Sequence, residues 1–149
     1  MGAIVVGVDN SEGAKAALRF ALEEAKLRGA SLRAVHAWQF ASIGAPGIEA
    51  GTPPTFGVDF ADLERGVAAS LENTLDEAIP DPGGVNVERR VVEGAAAAAL
   101  VEESRGADLL VVGSRGLGGF RGLLLGSVGQ QVAQHASCPV VIVPHRRDG

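Results

Sequence analysis

The chain has no tyrosine, one tryptophan and one cysteine in 149 residues. A lone thiol, Cys138, can close no disulfide within the chain, which suits a reducing compartment and leaves the fold to packing. Cys138 stands just before an expected strand with no His–acid constellation nearby, so it reads as a buried structural thiol rather than a nucleophile. Positive charge is scarce as well. Lys and Arg total 13 against 18 Asp and Glu, a net −5, which excludes a chain-wide basic footprint for nucleic acid and a polybasic membrane patch. The short "HRR" at His145–Arg147 reads as a solvated tail over 145–149. No apolar run approaches the roughly 18 residues of a spanning helix, and no basic region followed by a long apolar segment opens the chain. No second histidine sits at ligand spacing from His36 and there is no cysteine cluster, so no protein-held metal is expected. These absences point to a soluble, cytoplasmic protein with neither nucleic acid nor membrane as partner.

What is present is small and aliphatic. Apolar residues make up 46% of the chain, and its 21 glycines are about twice the usual share. "AIVVGV" (Ala3–Val8) is a continuous apolar run, as a strand covered on both faces requires. From Ser11 to Arg28, Ala14, Ala17, Leu18, Ala21, Leu22 and Ala25 recur at helical spacing, with Ser11 as cap and Gly29 as stop. Strands follow at Ser31–Trp38, Val85–Gly94, Ala107–Gly113 and Pro139–Pro144. Helices are expected at Asp59–Ile79, Ala95–Arg105 and about Ser127–Ala136. The alternation argues for one α/β domain over 1–149: an open parallel sheet of five strands with helices on both faces. A Gly/Pro/Ala-rich insert at 39–57 is long enough to be a lid, a binding loop or a mobile segment.

The densest feature is "GSRGLGGFRGLLLGSV" (Gly113–Val128), with six glycines from 113 to 126, two arginines and no carboxylate. A Walker A loop is excluded for want of lysine, and a dinucleotide fingerprint because Arg121 stands where glycine is required. A nucleophile elbow around Ser114 fails because Val112 replaces the first glycine. What fits is Gly113-x2-Gly116-x9-Gly126-Ser127, running from a strand end to a helix start. A helix N-terminus offers unsatisfied N–H groups and partial positive charge to an anion. Gly126 and Gly129 would let a phosphate approach that backbone, with Arg115 and Arg121 nearby. Ser127-x-x-Gln130 also matches a capping box, so Ser127 serves as cap, as phosphate contact, or as both.

That spacing resembles the nucleotide motif of the ATP-binding branch of the universal stress protein family. "VVGVDNSEGAKAALRFA" (Val5–Ala21), "LRAVHAW" (Leu32–Trp38) and "GSVGQQVAQHASCPVVIVP" (Gly126–Pro144) resemble the family's opening strand and helix, its second strand, and its closing helix and strand. The likeness is weakest over 39–62, and Ala96 stands where many relatives have proline, which is expected to loosen that helix start. The resemblance implies a Rossmann-like sheet in order 3-2-1-4-5. It also implies that Val8, Asp9 and Ala37 line an adenine and ribose region. Val112, Gly113 and Gly116, with Ser114 and Arg115 between them, would hold ribose and phosphates, and Gly126, Ser127, Val128 and Gly129 would cradle phosphates from the other side. Asp9 has a plainer role open to it as a turn residue, and His36 reads as a satisfied, buried or strand-end histidine.

The expected ligand is ATP, with any Mg²⁺ carried on its phosphates. The glycine stretch contains no residue that could act as a base, so catalytic residues are assigned to none of its positions and turnover is expected to be slow or absent. Apolar "VVIV" at a sheet edge would pair with its copy, giving a homodimer through Val140–Val143. The function expected is a nucleotide-dependent stress-response regulator. The alternatives are an interaction protein that binds no nucleotide, and a slow ATPase or autophosphorylating enzyme using Ser114 or Ser127.

Overall fold

The computed structural model describes residues 2–39, 59–114 and 126–144. The 40–57 part of the insert, Arg115 to Leu125 and the 145–149 tail lie outside the described residues. Strands β1 (Ala3–Gly7), β2 (Ser31–Trp38), β3 (Val87–Glu93), β4 (Leu109–Gly113) and β5 (Val140–Val143) form one parallel sheet in order β3-β2-β1-β4-β5. The helices are α1 (Glu12–Arg28), α2 (Phe60–Ala78), α3 (Ala96–Glu103) and α4 (Ser127–His135). The expected fold class and strand order are both observed.

Register divides the side chains between two faces. Ile4 pairs with Leu32 and Leu109, Val6 with Ala34 and Val111, and these residues face α1 and α2. The alternate residues Val5, Val35, Leu110 and Val112 face Leu100 of α3 and Val132 of α4. Both faces of β1 are therefore dry, which is why its sequence is a run of apolar residues rather than an alternation. Ala17, Ala21 and Ala25 of α1 are fully buried, and their small side chains let the helix sit close on the sheet.

Local chemistry sets the element ends. Ser11 Oγ accepts from Ala14 N at 3.1 Å, and Gly29 closes α1 in the left-handed conformation with φ 63°. Pro139 and Pro144 bracket β5; lacking N–H groups, they end the ladder one residue inside the expected span, though Pro139 O still accepts from Leu110 N. α3 begins at Ala96 behind Ala95, with no side-chain cap. β1 and β4 are neighbours, while their following segments turn to opposite faces. The winding therefore reverses at their carboxyl ends, where open α/β sheets place their ligands.

Candidate functional site

The turn after β1 is built around Asp9. Its Oδ1 accepts from the Ser11 backbone N–H at 3.1 Å and from the Ser11 hydroxyl. Asp9 is thus a turn residue that braces the α1 cap, the plainer of its two roles, and it also lines a cleft. Asn10 takes a positive φ of 67°, which asparagine tolerates, and its Oδ1 accepts from the Ser70 and Thr74 hydroxyls of α2. Those bonds tie the turn to α2 and fix one wall of the cleft.

The cleft has a volume of about 530 Å³, within the range of small-molecule sites. Asp9 and Asn10 form one side, His36 to Gln39 at the end of β2 a second, and Asp62, Leu63, Gly66, Val67 and Ser70 of α2 the third. Trp38 packs its ring on Phe60 at the start of α2, with centroids 4.9 Å apart and planes tilted by 45°. The lining carries two carboxylates, Asp62 paired with Arg65 beside it, and no lysine or arginine of its own among the described residues, so it suits neutral or hydrogen-bond-donating groups better than phosphate.

His36 is 7% exposed and Trp38 5%. Among the described residues neither His36 Nδ1 nor Trp38 Nε1 has a hydrogen-bond partner, so His36 is buried as expected but its Nδ1 is not satisfied by them. Burial pushes the His36 imidazole below its ordinary pKa, against the weaker opposing pull of the Asp9 carboxylate. The ring is therefore neutral at neutral pH.

The second half of the site lies at the β4–α4 junction. Ser114 N donates to Val143 O at 2.8 Å, and Gly126 N donates to Ser114 O at 2.6 Å. The chain that leaves at Ser114 thus returns beside it at Gly126. α4 begins at Ser127 with Gly126 as N-cap and no side-chain cap hydrogen bond. The capping-box expectation for Ser127 is not met, because Ser127 is the first helical residue and its hydroxyl lies past the capping position. Ser127 is exposed and, among the described residues, no side chain caps the first turn, an arrangement suited to an anion.

The expected site residues that the structure describes fall into three groups. Asp9 and Ala37 meet in the cleft. Gly113, Ser114, Gly126, Ser127, Val128 and Gly129 gather at the β4–α4 junction; Ser114 and Gly129 are buried, and Val128 packs on the α3–α4 face. Val8 and Val112 bury their side chains in the two opposite cores, at 4% and 3% exposure, and leave only main chain at the carboxyl ends of β1 and β4. Arg115 and Gly116 lie outside the described residues. Cys138 is half-buried rather than buried, with its thiol pushed up in pKa by burial and by Asp108. Among the described residues no group of three or more His, Cys, Asp or Glu could hold a metal ion, and no helix is long and apolar enough to cross a membrane.

Sequence reasoning missed the α2 wall, together with Asn10, Trp38 and Gln39. One signal was present: Gly66 interrupts "FADLERGVAASLENTLDEA", an otherwise good helix former.

An open sheet wound both ways, with its cleft at the strand carboxyl ends, defines a doubly wound α/β protein. Within that class the chain belongs to the universal stress protein family, whose model matches residues 1–144. A universal stress protein of Mycolicibacterium smegmatis is 39% identical over 146 residues, which cover 96% of this chain and 46% of that protein. The chain spans about half the length of the curated relatives it matches. Universal stress protein UspA from Lactobacillus plantarum shares the fold with a TM-score of 0.77 at 22% identity, covering 95% of this chain and 97% of that one. A universal stress protein in complex with cAMP is 32% identical, with a TM-score of 0.65 and 95% of each chain covered.

Proposed function

We propose that the chain binds an adenine nucleotide, ATP in particular, as the ATP-binding branch of its family does, and serves as a nucleotide-dependent stress regulator in the cytoplasm. The observation that carries this reading is the glycine-led start of α4, which no side chain caps among the described residues and which the Gly126–Ser114 hydrogen bond ties back to the end of β4. Bare amides there would hold phosphates, with Ser127 adding its hydroxyl, and Gly113, Ser114, Arg115 and Gly116 would complete the cradle. Asp9 and Ala37, with the main chain at Val8 and Val112, would hold the nucleoside. The cAMP complex of a 32% identical relative supports an adenine nucleotide as the ligand class. Mg²⁺ would ride on the phosphates.

The segment 113–129 contains no Asp, Glu, His or Lys, so little or no turnover accompanies binding in this reading. Residues 1–149 act as one domain in it, and a homodimer forms through β5, whose residues Val140–Val143 are half-exposed at the sheet edge.

Acid extraction of the purified protein, followed by ATP titration in a calorimeter, tests the reading. Adenine nucleotide should be released, and Gly126→Val should weaken ATP binding by about 100-fold, near 2.7 kcal/mol. Gly126 has φ −74°, a conformation valine adopts, so this variant should fold normally. Absence of both endogenous nucleotide and ATP binding in the parent protein would leave the interaction-protein alternative standing.

A further inference from the structure

Gly66 lies seven residues into α2, on its exposed side, with ordinary helical backbone. Glycine there leaves the unfolded chain freer and weakens the helix relative to alanine. Crowding does not demand it, since a Cβ built on Gly66 meets no described atom within 4 Å. Nor does backbone conformation, since the positive-φ glycines are elsewhere. What a Cβ at 66 would enter is the cleft that Gly66 lines with Leu63 and Val67.

We infer that Gly66 is kept for the ligand rather than for the fold: it lets a flat heteroaromatic ring, the base of the bound nucleotide, lie directly against the backbone of α2. This deepens the proposed function and rests on it. The chemistry of the cleft selects the base over the phosphates. The Asp9 carboxylate disfavours an anion, Asp62 being paired with Arg65, while Leu63, Val67 and Ala37 offer apolar walls to a ring. His36 and Trp38, each more than nine-tenths buried, add aromatic rings to the lining of the same cleft. A flat, neutral heterocycle packs favourably on such a lining.

Calorimetric titration of ATP into the parent protein and into Gly66→Ala and Gly66→Leu, with thermal melts of all three, decides the matter. Both substitutions should raise Tm by about 2–4 °C, since each is a better helix former than glycine. ATP affinity should fall by about 10-fold in Gly66→Ala and about 100-fold in Gly66→Leu, as the side chain takes the ring's place. If the parent binds ATP and Gly66→Leu binds it equally well, the role of Gly66 is overturned and nucleotide binding stands. A lower Tm in both variants would also overturn it, by showing that the helix needs the glycine. If the parent binds no ATP, both readings fall together.

Discussion

At Gly113 an added Cβ would lie 3.0 Å from the backbone C and O of Gly13, whereas at Gly66 it would meet nothing described within 4 Å. Both glycines border the candidate site, at its two ends. At the β4–α4 end glycine allows a strand to touch the first turn of α1, a packing constraint internal to the fold. At the cleft end it leaves space that the chain does not fill. The same contrast holds for polar groups. The ends of the glycine-rich segment are bonded to each other and to β5, while His36 Nδ1 and Trp38 Nε1 behind the cleft lining find no partner among the described residues. A glycine count alone does not separate these cases; the surroundings of each missing Cβ do.

Gly113→Ala tests the packed end and carries the largest effect. Contact with backbone cannot be relieved by rotating a side chain, so a loss of about 1–3 kcal/mol in unfolding free energy is expected by urea denaturation. An unchanged midpoint would place the Gly113 constraint in the ligand rather than in Gly13. Asp9→Asn sharpens the middle of the site, where turn and cleft share one carboxylate. Asparagine retains an oxygen for Ser11, so stability should hold to within about 0.5 kcal/mol while ATP affinity drops about 10-fold, or 1.4 kcal/mol. Equal affinity would confine Asp9 to its turn.

The smallest effect concerns His36. Its folded pKa is depressed below the ordinary 6.5. Below that pH the unfolded chain therefore takes up a proton that the folded chain resists. The stabilising contribution is complete above about pH 6.5 and is lost as pH falls toward the folded pKa. Urea midpoints at pH 7.5 and 5.5 should show this modest acid loss in the parent protein and less of it in His36→Gln. The same acid loss in both would assign the pH dependence to other groups.

Parts of this molecule were legible before any coordinates. Apolar runs such as "IVV" and "LLVV" lie in strands dry on both faces, and the 3–4 spacing of alanine and leucine in α1 falls on its buried side. Ser11 and Gly29 cap α1 as their chemistry requires. Nearby residues decide these features, so the chain states them directly. The strand order entered through family resemblance, because alternation of strands and helices is the same for many orders. Of the two roles open to Ser127, the cap is the one the structure removes, because a capping box constrains spacing without saying which residue begins the helix.

Amino-acid order by itself determined the alternating elements, the buried stripes, most of their ends and the glycine-led start of α4, all set by interactions within a few residues of chain. Tertiary structure alone decided that Asn10 bonds Ser70, that Gly113 abuts Gly13, and that Gly66 opens on a cleft shared with Asp9 and His36. Those residues lie between 27 and 100 positions apart. Such meetings depend on how whole helices settle on the sheet, through many weak contacts that no short stretch of chain encodes.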